Sequence, residues 1–402
     1  MNKRVMLVYG TRPEAIKMAP VLFELRRSAQ LTPLVVLTGQ HRSILEQVNH
    51  DFRINPDHNL EIMDNGQTLH DITVRCLQGV SELLRAERPD VVLVQGDTTS
   101  AFSAALAAFY EQIPVAHLEA GLRTGDIYSP YPEEVNRRLI TRLASLHLAP
   151  TPVSRENLLR ENVEGQSVIV TGNTIIDALL WTVRQARPFS NPSLQAIERS
   201  GGPILLVTAH RRESWGEPMQ LVGKALAEIS SRMPELQVVL PVHPNPVVRA
   251  SLLPLLSGPN VTILEPLPYP EFARLMAISS IILTDSGGVQ EEAPSLGKPV
   301  LVMRDTTERP EGIDAGTARL VGTSPADIID AVETLLRKPG TYHAMAKAIN
   351  PYGDGHAARR TVEALTFFLK QGPAPTDFEP FQVLSEGLAS EDRSWVGLPA
   401  AS

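Results

Sequence analysis

Short apolar runs alternate with amphipathic helical windows along nearly the whole chain, and the alternation occurs twice. In the first half the apolar runs are Arg4–Tyr9, Pro33–Thr38, Asn59–Met63, Asp90–Gln95, Pro114–Leu118, Leu146–Ala149 and Ser167–Thr171. Helical patterns such as 14–29 and 69–87 lie between them. In the latter, Ile72, Cys76, Val80, Leu83 and Leu84 fall on one face. Near-continuous apolar strands separated by helices are the pattern of a parallel sheet covered on both faces. The pattern loosens over 187–203, a Pro/Ser/Gly-rich piece read as a linker. It restarts with Ile204–Thr208, Gln237–Pro241, Val261–Leu264, Ser280–Thr284, Val300–Met303 and Arg319–Val321. The expected fold class is therefore α/β, with two Rossmann-like domains, 1–186 and 204–354, facing a cleft. A helix over 355–370 is expected to cross back to the first domain. Residues 371–402 show no period and are expected to form a mobile tail.

Composition narrows the function classes. The 402 residues suit two domains; 43% are hydrophobic, 20% are charged and the formal net charge is −8. No basic run stands out, which argues against a nucleic-acid surface. No apolar run reaches the roughly 18 residues of a membrane span. The single cysteine, Cys76, excludes a disulfide framework and a cysteine-based metal cluster. The N-terminus enters a strand with no signal-peptide pattern, so a cytoplasmic protein is expected. His, Asp and Glu show no metal-ligand spacing. No metal and no cofactor are expected.

In sheets of this kind ligands lie at the carboxyl ends of the strands, and the informative polar residues cluster there. The stretch 281–299 is a buried strand feeding Ser286, Gly287 and Gly288 and then a helix start with Gln290, Glu291 and Glu292. Such a turn suits an anion, although it is neither a G-x-G-x-x-G fingerprint nor a Walker loop. Glu292, one turn on, is placed for ribose hydroxyls. The alternative is a turn in which glycine only relieves strain. After the first strand come Gly10, allowing a tight turn, and a helix start with Thr11, Pro13 and Glu14 in capping positions. Arg12 and Lys17 remain as cations suited to a diphosphate. Asp97 ends the fourth strand, where an N-cap alone would also explain it. Glu119 ends the fifth, where a carboxylate is costly unless paired or functional. Glu133 opens a helix, where the dipole by itself favours acids. His210, followed by Arg211 and Arg212, ends the second domain's first strand, and His243 follows the next. A diphosphate-binding half, three strand-end acids and one or two histidines describe an enzyme acting on a sugar nucleotide by proton transfer and leaving-group departure. The lack of a GxSxG elbow argues against a serine hydrolase.

The stretches GTRPEAIKMAP, TGQHR, QGDTTS, HLEAGLRTGD, YPEEVNRR, TGNTIIDAL, TAHRRES, DSGGVQEEAPSLGKPVLVMRDTTERPE and NPYGDGHAARR span roughly residues 3–370. In this order they resemble the non-hydrolysing bacterial UDP-N-acetylglucosamine 2-epimerases. The resemblance implies a glycosyltransferase-B-like fold and a homodimer formed through the first domain. It implies reversible conversion of UDP-GlcNAc into UDP-ManNAc for surface-polysaccharide precursors, by elimination of UDP to 2-acetamidoglucal and re-addition. UDP-sugar contacts are implied for Arg12, Lys17, Asp97, Glu119, His210, Phe272, Ser286, Gly287, Gly288, Glu292 and Arg309, with Leu267 at a position that meets the base edge. Catalytic roles are implied for Asp97, Glu119, Glu133 and His210. A second, allosteric UDP-GlcNAc is implied at Gln40, His41, Gln67, Glu133, Arg211 and His243. Ser43 and Gly66 stand where the family commonly has Gln and Arg, which weakens that implied activation. Three readings stay open beside this one: an epimerase of a 3-substituted UDP-sugar, a hydrolysing epimerase releasing free ManNAc, and a glycosyltransferase needing an acceptor. A non-catalytic UDP-sugar sensor would have no use for three strand-end acids.

Overall fold

The computed structural model describes residues 2–39, 42–64 and 66–380, with only the backbone of 42–44. The strands of the first domain are β1 (Lys3–Tyr9), β2 (Leu31–Leu37), β3 (His58–Asn59), β4 (Val91–Gln95), β5 (Val115–Leu118), β6 (Leu146–Ala149) and β7 (Val168–Val170). They form one parallel sheet in the order β3-β2-β1-β4-β5-β6-β7. The second domain holds β8 (Ile204–Thr208), β9 (Gln237–Pro241), β10 (Val261–Leu264), β11 (Ile281–Thr284), β12 (Val300–Val302) and β13 (Ala318–Leu320). Their parallel order is β10-β9-β8-β11-β12-β13. Successive side chains of a strand point to opposite faces. Accordingly Val5, Leu7 and Tyr9 enter one apolar cluster while Met6 and Val8 enter another. In β8, Leu205 and Val207 part from Ile204 and Leu206 in the same way. Both faces of both sheets are covered, as the uninterrupted apolar runs require.

The helix Leu69–Glu87 begins with a Thr68/Asp71 capping box and buries Ile72, Cys76, Val80 and Leu84. The apolar run at 59–63 is not a strand beyond Asn59. Glu61 sits at φ +50, outside the extended region, and takes the chain off the sheet edge.

The segment between the sheets is more ordered than a linker. It contains the helix Pro192–Ser200, capped by Asn191 and ended by Gly201 at φ +66. Leu194 and Ile197 pack with Leu206, Val239 and Ile282 of the second domain. The Asn, Pro and Gly that suggest loop composition are this short helix's caps. Arg187, just before it, reaches back to Asp51, with Nη1 3.0 Å from Oδ1. An aromatic group also joins the domains. Tyr269 opens the helix Tyr269–Ile278 of the second domain, and its ring lies 6.3 Å from Phe52, which stacks on Trp181 at 5.1 Å.

The helix Ala357–Phe368 packs on Arg12–Arg27 and Thr174–Arg184, with Ala364 and Leu365 in the first domain's core. The chain does not become free at residue 371. Asp377 accepts from the Val170 N–H at 2.8 Å and pairs with Arg155 at 2.5 Å. Phe378 is 3% exposed, donates its N–H to the Val170 carbonyl at 2.7 Å and lies under the Arg360 guanidinium. Apolar burial of one aromatic ring is what pins this stretch, a signal too short to show as a period. Phe378→Ala therefore lowers stability by about 3 kcal/mol, read from denaturant midpoints; an unchanged midpoint would show that the stretch adds nothing to the fold.

Candidate active site

The first-domain side is built on the turn after β1. A Cβ on Gly10 would lie 2.0 Å from the Thr38 hydroxyl, so lack of room, not a left-handed backbone, demands glycine there. The Glu14 carboxylate folds back to accept from the N–H groups of Gly10 and Thr11 at 2.9 and 2.7 Å. Its other oxygen accepts from the Thr98 hydroxyl. Glu14 thereby ties the helix that carries Arg12 and Lys17 to the turn that carries Asp97. Gly96, at φ +69, makes that second turn. The Asp97 carboxylate pairs with Arg137, and its carbonyl accepts from the Asn136 amide at 2.9 Å.

Glu119 follows β5 at φ +66, a left-handed position rare for a side chain of its size. The surroundings over-determine it. Lys17 Nζ lies 2.5 and 2.6 Å from its two oxygens, and the amides of Gln95 and Asn173 also donate to it. Burial works against both charges, but the pairing outweighs it. The Glu119 carboxyl is held below its ordinary value by Lys17, and the Lys17 ammonium above its own by Glu119 and Glu291. Glu133 opens the helix Glu133–Leu143, and its Oε2 is buried with no hydrogen-bond partner among the described residues.

The second-domain side follows β11. Asp285 is buried and accepts from the N–H groups of His210 and Arg211 at 2.7 and 2.8 Å, with its other oxygen 3.0 Å from His210 Nδ1. Burial pushes its carboxyl up, but the His210 contacts prevail and hold it below the ordinary range. This acid fixes the His210 ring. His210 also stacks on His243 at 5.8 Å. Burial and the neighbouring His210 together depress the His243 imidazole.

The helix Gly287–Glu292 starts at the glycine pair, and neither glycine is in the left-handed region. Among the described residues, a Cβ on Gly288 would come within 4 Å of the Glu292 carboxylate and the Ser286 hydroxyl, at 3.7 and 4.0 Å. Strain relief therefore does not explain these glycines; they leave backbone open beside Arg211 and Arg309. Arg309 pairs with Glu291, and burial is overcome there by Glu291 and Glu119, which raise the guanidinium further. Glu292 is different. Burial pushes its carboxyl up to about 8, and the Tyr269 hydroxyl donates to Oε2 at 3.0 Å.

Arg12, Lys17, Asp97, Glu119, Glu133, Arg137 and Arg309 line one cavity of about 440 Å³ that takes residues from both domains. His210, Arg211 and His243 form a neighbouring group, with Arg211 3.2 Å from Glu308. Leu267 and Phe272 are half-buried and pack on the Val289 and Ala293 side of the second domain. Gln67 bonds locally, accepting from the Asp64 N–H at 3.0 Å. Gln40 and His41 lie outside the described residues. Sequence reasoning missed Arg137, Asn173, Tyr269, Asp285 and Glu291 as members of the site. Asp285 stands immediately after β11 and Asn173 three residues after β7, so the strand-end rule was signal enough for both.

Two parallel sheets facing a cleft lined by strand-end acids and cations define a two-domain α/β enzyme of the glycosyltransferase-B-like kind. The chain belongs to the UDP-N-acetylglucosamine 2-epimerase family, whose model matches residues 23–366. It is 52% identical over 370 residues to the UDP-N-acetylglucosamine 2-epimerase of Yersinia pestis, covering 90% of this chain and 98% of the relative. It is 52% identical over 365 residues to that of Bacillus subtilis, covering 90% and 95%. The crystal structure of UDP-GlcNAc 2-epimerase from Neisseria meningitidis bound to UDP-GlcNAc superposes with a TM-score of 0.81 at 47% identity, over 90% of this chain and all of that one.

Glu292 gives this site a pH signature. A carboxyl raised from 4.5 to about 8 on folding binds a proton that the unfolded chain releases. Its stabilising contribution is full below about pH 4.5 and is lost as pH rises through about 8. Glu292→Gln removes that decline, so the wild-type stability falls relative to the variant between those values. Parallel stability–pH curves would contradict a protonated Glu292.

Proposed function

We propose that this chain interconverts UDP-GlcNAc and UDP-ManNAc without hydrolysing either. The observation that carries the reading is the single cavity on which Asp97, Glu119 and Glu133 meet Arg12, Lys17 and Arg309. C2 of the sugar has no adjacent carbonyl, so its proton cannot leave to an enolate. A carboxylate removes it while the C1–O bond breaks, its electron pair going to UDP and a C1=C2 double bond forming. UDP then adds back to the 2-acetamidoglucal at C1 as a proton arrives at C2 from the opposite face. Asp97, Glu119 and Glu133 supply the acid and the base. Arg12, Lys17, His210 and the backbone at Ser286–Gly288 bear the charge of the departing diphosphate. Glu292, carrying its proton, has both a donor and an acceptor for a ribose hydroxyl.

The entering diphosphate also competes for Lys17 and so loosens Glu119, which couples binding to the release of a base. Cleft closure keeps the intermediate dry. The reading includes a homodimer, a cytoplasmic setting and a place in surface-polysaccharide precursor synthesis. It includes a second UDP-GlcNAc at Gln40, His41, Gln67, Arg211 and His243. The stacking of His243 on His210 supports that site, since a ligand held by one ring bears directly on the other.

Proton NMR of the protein with UDP-GlcNAc in D2O tests the reading. UDP-ManNAc carrying deuterium at C2 is the expected product. Asp97→Asn is expected to bind UDP nearly as the wild type does and to lose at least about a hundredfold in turnover. Free ManNAc and UDP would instead identify a hydrolase, and an unchanged spectrum would overturn the proposal.

A further inference from the structure

The stretches TGNTIIDAL and NPYGDGHAARR take no part in the chemistry above, yet they interlock where the domains meet. Asn173 follows β7 and caps the helix Thr174–Arg184, its Oδ1 accepting from the Ile175 N–H at 3.1 Å. Its backbone N–H donates to the Tyr352 carbonyl at 2.7 Å. A Cβ on Gly353 would press on Ile176 at 3.1 Å, so the second stretch lies tight against that helix. Asn173 is 3% exposed.

Cap and backbone contacts leave the amide Nδ2 over. It donates to Glu291 Oε2 at 2.7 Å and to Glu119 Oε1 at 3.2 Å. Glu119 belongs to the first domain and is paired with Lys17; Glu291 belongs to the second and is paired with Arg309. Two carboxylates that converge on one point repel unless a donor stands between them. A neutral amide presents one N–H to each. A hydroxyl presents one proton in all, and a carboxylate none.

We propose that Asn173 is a positioning residue whose Nδ2 orients the Glu119 carboxylate in the cleft and ties it to Glu291 across the domain boundary. Asn173 acts through Glu119 and touches no reacting atom; it does not line the cavity. Closing the domains and aiming Glu119 are then one event, since the same amide does both. The inference rests on the epimerase reading for what Glu119 does, but not for the tie itself.

Two substitutions separate this role from helix capping. Asn173→Ser and Asn173→Asp both retain a capping oxygen and both lose the paired donor; the second puts a third carboxylate at the junction. Deuterium incorporation at C2 gives kcat and KM, and calorimetry gives UDP affinity. Both variants are expected to lower kcat at least about tenfold, the Asp variant more, with KM and UDP affinity within about threefold of wild type. A kcat of Asn173→Ser within about twofold of wild type would leave Asn173 a helix cap and overturn the proposal. So would a loss of UDP affinity that matches the loss of kcat. Small-angle scattering of the unliganded protein reads the tie without turnover. Asn173→Asp is expected to enlarge the radius of gyration, and an unchanged curve would overturn the tie. A wild-type protein that exchanges no deuterium would defeat the epimerase reading alone.

Discussion

The ion pair between Lys17 and Glu119 is the contact on which the site depends. Both groups are largely buried, with side-chain exposures of 17% and 7%. Removing one partner from a buried pair typically costs about 3–5 kcal/mol, because the other charge is left without solvent or partner. Here the cost would fall at a residue already held at φ +66. The surrounding structure is arranged to prevent it. Gln95 and Asn173 donate to Glu119, Glu14 locks the start of the Lys17 helix, and Asn173 carries the network on to Glu291 and Arg309. At the tie between the domains, Glu119 and Glu291 are each balanced by a cation of their own domain.

That balance shapes how a ligand is received. Three cations of the cleft are already occupied by carboxylates: Lys17 by Glu119, Arg309 by Glu291, Arg137 by Asp97. These pairs spare the resting site a large uncompensated charge, and in the proposed reading the diphosphate exchanges with those acids. On the second-domain side Asp285 performs a related service. It spends both oxygens on His210 and Arg211 and so fixes the histidine before any ligand arrives.

Much of this was legible in the sequence, and the reasons are specific. Apolar runs of four to seven residues can only be buried strands when helices separate them, so the two sheets followed directly. Charged residues at the ends of such runs stand out because burial there is expensive, which singled out Glu119. What escaped depends on contacts between distant segments. Glu291 pairs with Arg309, Tyr269 meets Glu292 and Asn173 reaches Glu119, and none of these has a local period. Gly287 and Gly288 were visible as glycines, but only the helical backbone shows that strain relief does not account for them. The helix Pro192–Ser200 hid behind its own caps, and Phe378 behind the brevity of its segment.

The central claim is that the C1–O bond to UDP breaks and re-forms within this cleft. UDP-GlcNAc labelled with oxygen-18 at the anomeric bridge tests it most directly, followed by phosphorus NMR as epimerisation proceeds. If UDP departs and returns, the label moves from the bridge into the non-bridging positions of the β-phosphate, at a rate comparable to deuterium entry at C2. Epimerisation with the label retained in the bridge would contradict the claim, because the sugar would then have inverted at C2 without ever leaving UDP.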